Sequence, residues 1–140
     1  MEPTRRVLFV CLHGSGKSLI AAEYCRRLAA QRGLEIGARS AGIDPDLQIP
    51  RSVIKGLSKD GIDVRGRIPR RVVREDLANT WRVVSFGCDL VGMVPPGVTI
   101  ERWDDVPAAT EDFKVARDAI VTRLERLLAE CESSPTTSAA

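Results

Sequence analysis

The apolar positions of this chain fall into short solid runs that alternate with stretches of helical spacing. Residues 6–10 (RVLFV) form a β-branched and aromatic run, which predicts a buried strand. Beyond Lys17, Ile20, Tyr24 and Leu28 recur a turn apart, with Ala21 and Cys25 beside them. That spacing predicts a helix over 17–32, stopped by Gly33. Residues 34–40 fit a second strand leading into Ser40-Ala41-Gly42, and 50–59 (PRSVIKGLSK) fit a helix with proline at its start. A short helical turn is expected at 75–79. Strands are expected at 82–86 (RVVSF) and, after the Pro95-Pro96-Gly97 turn, at 98–102. The last helix, over 111–130, carries one apolar stripe of Phe113, Ala116, Ile120, Leu124, Leu127 and Leu128.

Strands alternating with helices imply an α/β domain with a parallel sheet covered on both faces. Ligands of such sheets bind beyond the carboxyl ends of the strands. Residues 11–16, 87–89 and 103–107 each follow a strand, so all three are expected on one rim. A length of 140 residues points to a single domain, here 1–131. The small polar segment 132–140 is expected to be a disordered tail.

Composition narrows the classes further. Charged residues make up 29% of the chain, but the net charge of +2 gives no argument for nucleic acid. No apolar stretch is long enough for a membrane span, and the apolar run near the start breaks at Gly14 without a cleavage site. The expected location is therefore the cytoplasm, where Cys11, Cys25, Cys88 and Cys131 are reduced thiols. A zinc site is not expected, since there is no C-x-x-C pair and His13 is the only histidine.

The chemistry concentrates in Cys11-Leu12-His13-Gly14-Ser15-Gly16-Lys17-Ser18. The ending Gly-Lys-Ser suggests a nucleotide loop, but that pattern requires glycine where Cys11 stands. The alternative is a thiolate loop. Backbone N–H groups of a glycine-containing turn form an anion nest, and the start of the helix at Lys17 adds positive potential. With Lys17 and His13 they favour the thiolate and hold a tetrahedral oxyanion for its attack. Ser18 is placed to hydrogen-bond the sulfur. An isolated buried cysteine would read as simple packing; a cysteine at a strand end before a glycine loop does not.

Cys11 to Ser18 resembles the signature loop of low-molecular-weight phosphotyrosine phosphatases and their thiol-dependent arsenate reductase relatives. That loop is cysteine, five residues, arginine, then serine or threonine. Ser40-Ala41-Gly42, Gly61-Ile62-Asp63-Val64, the run from Val83 to Cys88 and Trp103-Asp104-Asp105-Val106-Pro107 are similar to later segments of the family. The resemblance implies a three-layer sandwich: a four-stranded parallel sheet in order 2-1-3-4 with helices on both faces. It implies Cys11 as nucleophile, Leu12 to Gly16 as the oxyanion-binding loop, and Lys17 and Ser18 as its catalytic partners. Asp105 is the first choice for the proton donor, with Asp104 as the alternative. Cys88 is a candidate resolving thiol, and a structural role for it is equally open.

The sequence departs from the family at two places. Lys17 replaces an arginine whose planar fork grips oxyanions in bidentate fashion, and Gly14 replaces the usual asparagine. The implied function is cysteine chemistry on a phosphate-, arsenate- or sulfate-like anion, carried by a phosphorylated protein or a small phosphomonoester. No cofactor or metal is implied, only an external thiol if arsenate is reduced. The alternative is a catalytically weak oxyanion-binding regulatory protein. The cluster Arg65, Arg67, Arg70, Arg71 and Arg74 reads as a solvated loop, Cys25 as packing, and Cys131 as a free thiol in the tail.

Overall fold

A computed structural model describes residues 5–78, 80–90 and 92–133. Four strands, β1 (Arg5–Cys11), β2 (Ile36–Gly42), β3 (Arg82–Ser85) and β4 (Thr99–Arg102), form one parallel sheet in the order β2-β1-β3-β4. The helices are α1 (Lys17–Gln31), α2 (Arg51–Lys59), α3 (Arg74–Ala78) and α4 (Phe113–Ser133).

The sheet's two faces are unequal. Val7 and Phe9 face a large core built with α1, α2 and α4, where Ile20, Cys25, Leu57, Ile120 and Leu124 are buried. Trp103 fills its rim end, 5.9 Å from the Phe9 ring and edge-on to Phe86 at 5.6 Å. Leu8 and Val10 point the other way, into a smaller cluster with Val83, Leu77 of α3, Cys88 and Leu90. Alternation of side chains along β1 thus separates the two layers.

Element boundaries differ from the expectation where backbone caps intervene. The first helix stops at Gln31 because Leu34 N–H bonds Ala29 O (2.9 Å) and Gly33 N–H bonds Ala30 O (3.1 Å), closing the turn around Gly33. Leu34 is therefore spent on the cap, and β2 starts at Ile36 and continues through Ser40-Ala41-Gly42. Pro50 is the N-cap of α2 rather than its first helical residue. Asp112 accepts from Val115 N–H (3.2 Å), so α4 begins at Phe113.

The tail expectation needs correction. Helix α4 runs through Ser133, and Cys131 is a buried helical residue, not part of a loose tail. Its carbonyl accepts from Arg5 at 3.1 Å, and Glu132 pairs with Arg32 at 3.1 Å. The rest of the expected tail, 134–140, lies outside the described residues.

Candidate active site

Parallel register aligns the strand ends: Cys11 pairs with Gly42, Val10 with Ser85, and Ser85 with Arg102. The loop Leu12–Gly16 leaves the central strand there and turns directly into α1. Cys11 is buried, 6% exposed, beneath that loop. Its Sγ lies 3.0 Å from Ser18 Oγ and 3.2 Å from the N–H of Gly14. A loop amide and the Ser18 hydroxyl thus both meet one sulfur at the start of α1.

The loop's shape is set mainly by backbone against backbone. Gly14 has φ +64°, and a Cβ there would sit 2.7 Å from Gly42 N; a Cβ on Gly42 would sit 2.6 Å from Gly14 N. No side chain fits at either position without moving the chain. The departure at Gly14 is thereby explained, because an asparagine would not fit this loop path. The segment after β2 completes the support. Ile43, Asp44 and Asp46 donate backbone N–H groups to the carbonyls of Cys11, Leu12 and His13 at 3.2, 2.7 and 3.1 Å. Ser15 Oγ donates to Asp46 Oδ2 at 2.7 Å, and His13 Nδ1 lies 3.0 Å from Asp44 O and 3.5 Å from Asp46. Leu12 and His13 are exposed, whereas Gly14 and Ser15 are buried. Asp46 and Gly42 were not picked out as site residues in the sequence, although Gly42 ends the Ser-Ala-Gly run.

Three segments meet on the rim, as strand order predicts. Lys17 Nζ donates to the carbonyl of Val106 at 3.1 Å, joining the Cys11 loop to the segment after β4. Gly87 N–H donates to Asp104 Oδ1 at 2.9 Å, joining the segments after β3 and β4. Asp104 also accepts from Arg102 at 2.9 Å. Asp105, the first choice for the proton donor, turns outward: it is exposed and ion-paired with Arg123 of α4.

Cys88 lies behind the loop, 7% exposed, with Ser85 Oγ accepting its N–H at 3.0 Å. Burial raises its thiol pKa, the neighbouring Cys11 raises it further, and Lys17 opposes the shift. Cys11, Cys88, Lys17 and Asp104 therefore share one electrostatic neighbourhood. Among the described residues no cluster of His, Cys, Asp or Glu could hold a metal ion, and no helix is long and apolar enough to cross a membrane.

The five arginines of the 65–74 segment are exposed, while its backbone docks on the sheet. Gly42 N–H donates to Arg70 O (2.9 Å), and Val72 N–H donates to Gly42 O (3.0 Å), seating residues 70–72 on the outer edge of β2. Arg65 pairs with Asp63, Arg67 with Glu23, and Arg70 with Asp76, while Arg71 bonds Ile43 O at 2.8 Å.

The parallel sheet thus ends β1 in a cysteine whose sulfur meets a loop amide and the Ser18 hydroxyl in the first turn of α1. The chain belongs to the low-molecular-weight phosphotyrosine protein phosphatase family, whose model matches residues 6–96. The family's fold and relatives support cysteine-based phosphatase or reductase chemistry. A Halobacterium salinarum protein named for arsenate reduction is 25% identical over 134 residues, covering 92% of this chain and 94% of its own. The crystal structure of YfkJ from Bacillus subtilis is 27% identical with a TM-score of 0.77, covering 94% of this chain and 97% of that one. A thioredoxin-dependent arsenate reductase from Corynebacterium glutamicum is 25% identical with a TM-score of 0.80. The match covers 95% of this chain and 64% of that protein.

Proposed function

We propose that this protein is a thiol-coupled arsenate reductase with Cys11 as its nucleophile. The observation that carries the reading is the sulfur of Cys11, met by Ser18 Oγ at 3.0 Å and by Gly14 N–H at 3.2 Å. In the first step Cys11 Sγ attacks arsenic, an As–O bond breaks, and the departing arsenate hydroxyl takes a proton from solvent and leaves as water. The loop amides hold the remaining oxygens. In the second step Cys88, losing its thiol proton to solvent as it reacts, attacks Cys11 Sγ. The S–As electron pair goes to arsenic, which leaves as arsenite while a Cys11–Cys88 disulfide forms. An external dithiol then reduces that disulfide. The Corynebacterium relative, named for thioredoxin dependence, fits such a reductant.

Phosphomonoester hydrolysis is the second reading, since the same attack on phosphorus would begin it. It needs a positioned acid for the leaving alkoxide. Asp105 is committed to Arg123, so this reading assigns the proton to Asp104, which is tied to Gly87 beside Cys88. Both of its carboxylate oxygens already accept hydrogen bonds, which favours the reductase. Lys17, bonded to Val106 O, positions the Trp103–Pro107 segment against the loop. Weak anion binding without turnover is the third reading.

Parallel assays of dithiol-coupled arsenate reduction and aryl phosphate hydrolysis separate the three. Cys11→Ser is expected to lower either turnover by on the order of 10⁴-fold. Cys88→Ser is expected to remove arsenate reduction while sparing any hydrolysis. Arsenate reduction that survives Cys88→Ser would refute the resolving role. Absence of both reactions in the native protein would leave a binding module.

A further inference from the structure

Beside the loop lies a cavity of about 250 Å³ that the reading above does not use. It is bounded by α1, the edge of β2 and the docked arginine segment. Four guanidinium groups line it, those of Arg26, Arg39, Arg67 and Arg70, together with Ser40, and no acidic residue does. The nearest carboxylates do not neutralise this set. Arg26 and Arg67 share Glu23, and Arg70 pairs with Asp76. Among the described residues Arg39 has no acidic partner, and it is exposed on the edge strand. Four positive charges against two negative ones leave a surplus of about two positive charges around the cavity.

Two further features make this a shaped site rather than a patch of charge. The arginine segment is fixed in place, because residues 70–72 bridge to Gly42. The cavity also reaches the loop at Gly14, the residue whose N–H donates to Cys11 Sγ. Its remaining walls, Leu19, Ile49, Ile68 and Pro69, offer no carboxylate to compete with an anion.

We infer that this cavity is a second oxyanion site, adjoining the Cys11 loop at Gly14 but distinct from the sulfur, that takes a phosphate-class group on Arg39, Arg67 and Ser40. Guanidinium forks match phosphoryl oxygens in bidentate fashion, and the serine hydroxyl supplies a neutral donor. The group is either a free phosphate ion or the second phosphoryl of a ligand whose first lies on the loop; the chemistry of recognition is the same. The site does not depend on turnover at Cys11.

The test is a titration of the native protein followed by backbone amide NMR shifts. Inorganic phosphate should move two sets of amides with separate midpoints: Ser15 and Gly16 in the loop, and Ser40, Arg67 and Arg70 around the cavity. Arg39→Glu, an exposed change away from the loop, should weaken the cavity response at least tenfold and leave the loop response within about twofold. Arg39→Ala, with a smaller expected loss, guards against a folding artefact. Pyrophosphate distinguishes the sources. Joint saturation of both amide sets at one midpoint, lost in Arg39→Glu, marks a bridging ligand, whereas separate midpoints mark a free anion. Cavity amides that stay still under phosphate, or that respond equally in native protein and Arg39→Glu, would overturn the inference. Silence of the loop amides alone would count against the catalytic reading instead.

Discussion

Cys11 and Cys25 are both buried cysteines in the same core, one ending β1 and the other in the middle of α1. Around Cys11 the chain supplies donors: a serine hydroxyl, a glycine N–H and the start of a helix. Around Cys25 it supplies hydrocarbon and a second thiol. Burial, opposed by Arg26 and reinforced by Cys131, pushes the Cys25 thiol up to about 12. Burial alone therefore does not define a reactive cysteine in this fold. The difference is whether the backbone leaves unsatisfied donors facing the sulfur, which happens at the carboxyl end of a strand and not in mid-helix.

The comparison breaks most sharply at the glycines that shape the loop. Gly14→Ala or Gly42→Ala places a Cβ under 3.0 Å from the facing backbone. Each is expected to lower turnover about 100-fold by displacing the amides. Gly14→Ala should also lose about 2 kcal/mol of stability, read from urea unfolding, because its backbone is left-handed. Full activity in both variants would mean that the loop's shape is not what activates Cys11.

Ser18→Ala removes one of the two hydrogen-bond partners of the sulfur. Turnover should fall about 10- to 100-fold, as for a hydrogen bond to a charged group. The thermal midpoint should move little, so a large loss of stability with normal turnover would reverse the assignment. Cys25→Ala should behave in the opposite way. Activity stays within about twofold, while a small core vacancy lowers stability by about 1 kcal/mol in chemical denaturation.

The last effect is in pH. The folded state holds the Cys25 thiol at about 12, above the ordinary value of about 9. A raised pKa contributes stability that is complete below the unfolded value and lost as pH rises from about 9 towards about 12. Unfolding midpoints across that window should fall less steeply in Cys25→Ala than in the native protein. Identical slopes would remove the Cys25 half of the comparison.

Much of the local structure around Cys11 was legible in the sequence, and for a physical reason. A cysteine after RVLFV and before Gly14 can occupy few places in a parallel sheet, so the strand, the loop and the helix start followed from spacing. The support of the loop was less visible. Gly42 and Asp46 act on it through strand register and a long-range hydrogen bond, with some thirty intervening residues. The ion pair of Asp105 was likewise closed to local reading, because its partner Arg123 comes from the far helix. Cys131 read as tail because the apolar stripe ends at Leu128, yet α4 continues and buries it.

The central claim is that the loop makes Cys11 the reactive thiol. The most direct measurement is peptide mapping of the protein during brief carboxymethylation with iodoacetate, with and without phosphate, alongside residual turnover. Cys11 is expected to be modified first, with phosphate protecting it and activity falling in proportion. First modification at Cys88, Cys25 or Cys131, or full turnover by protein carboxymethylated at Cys11, would contradict the account.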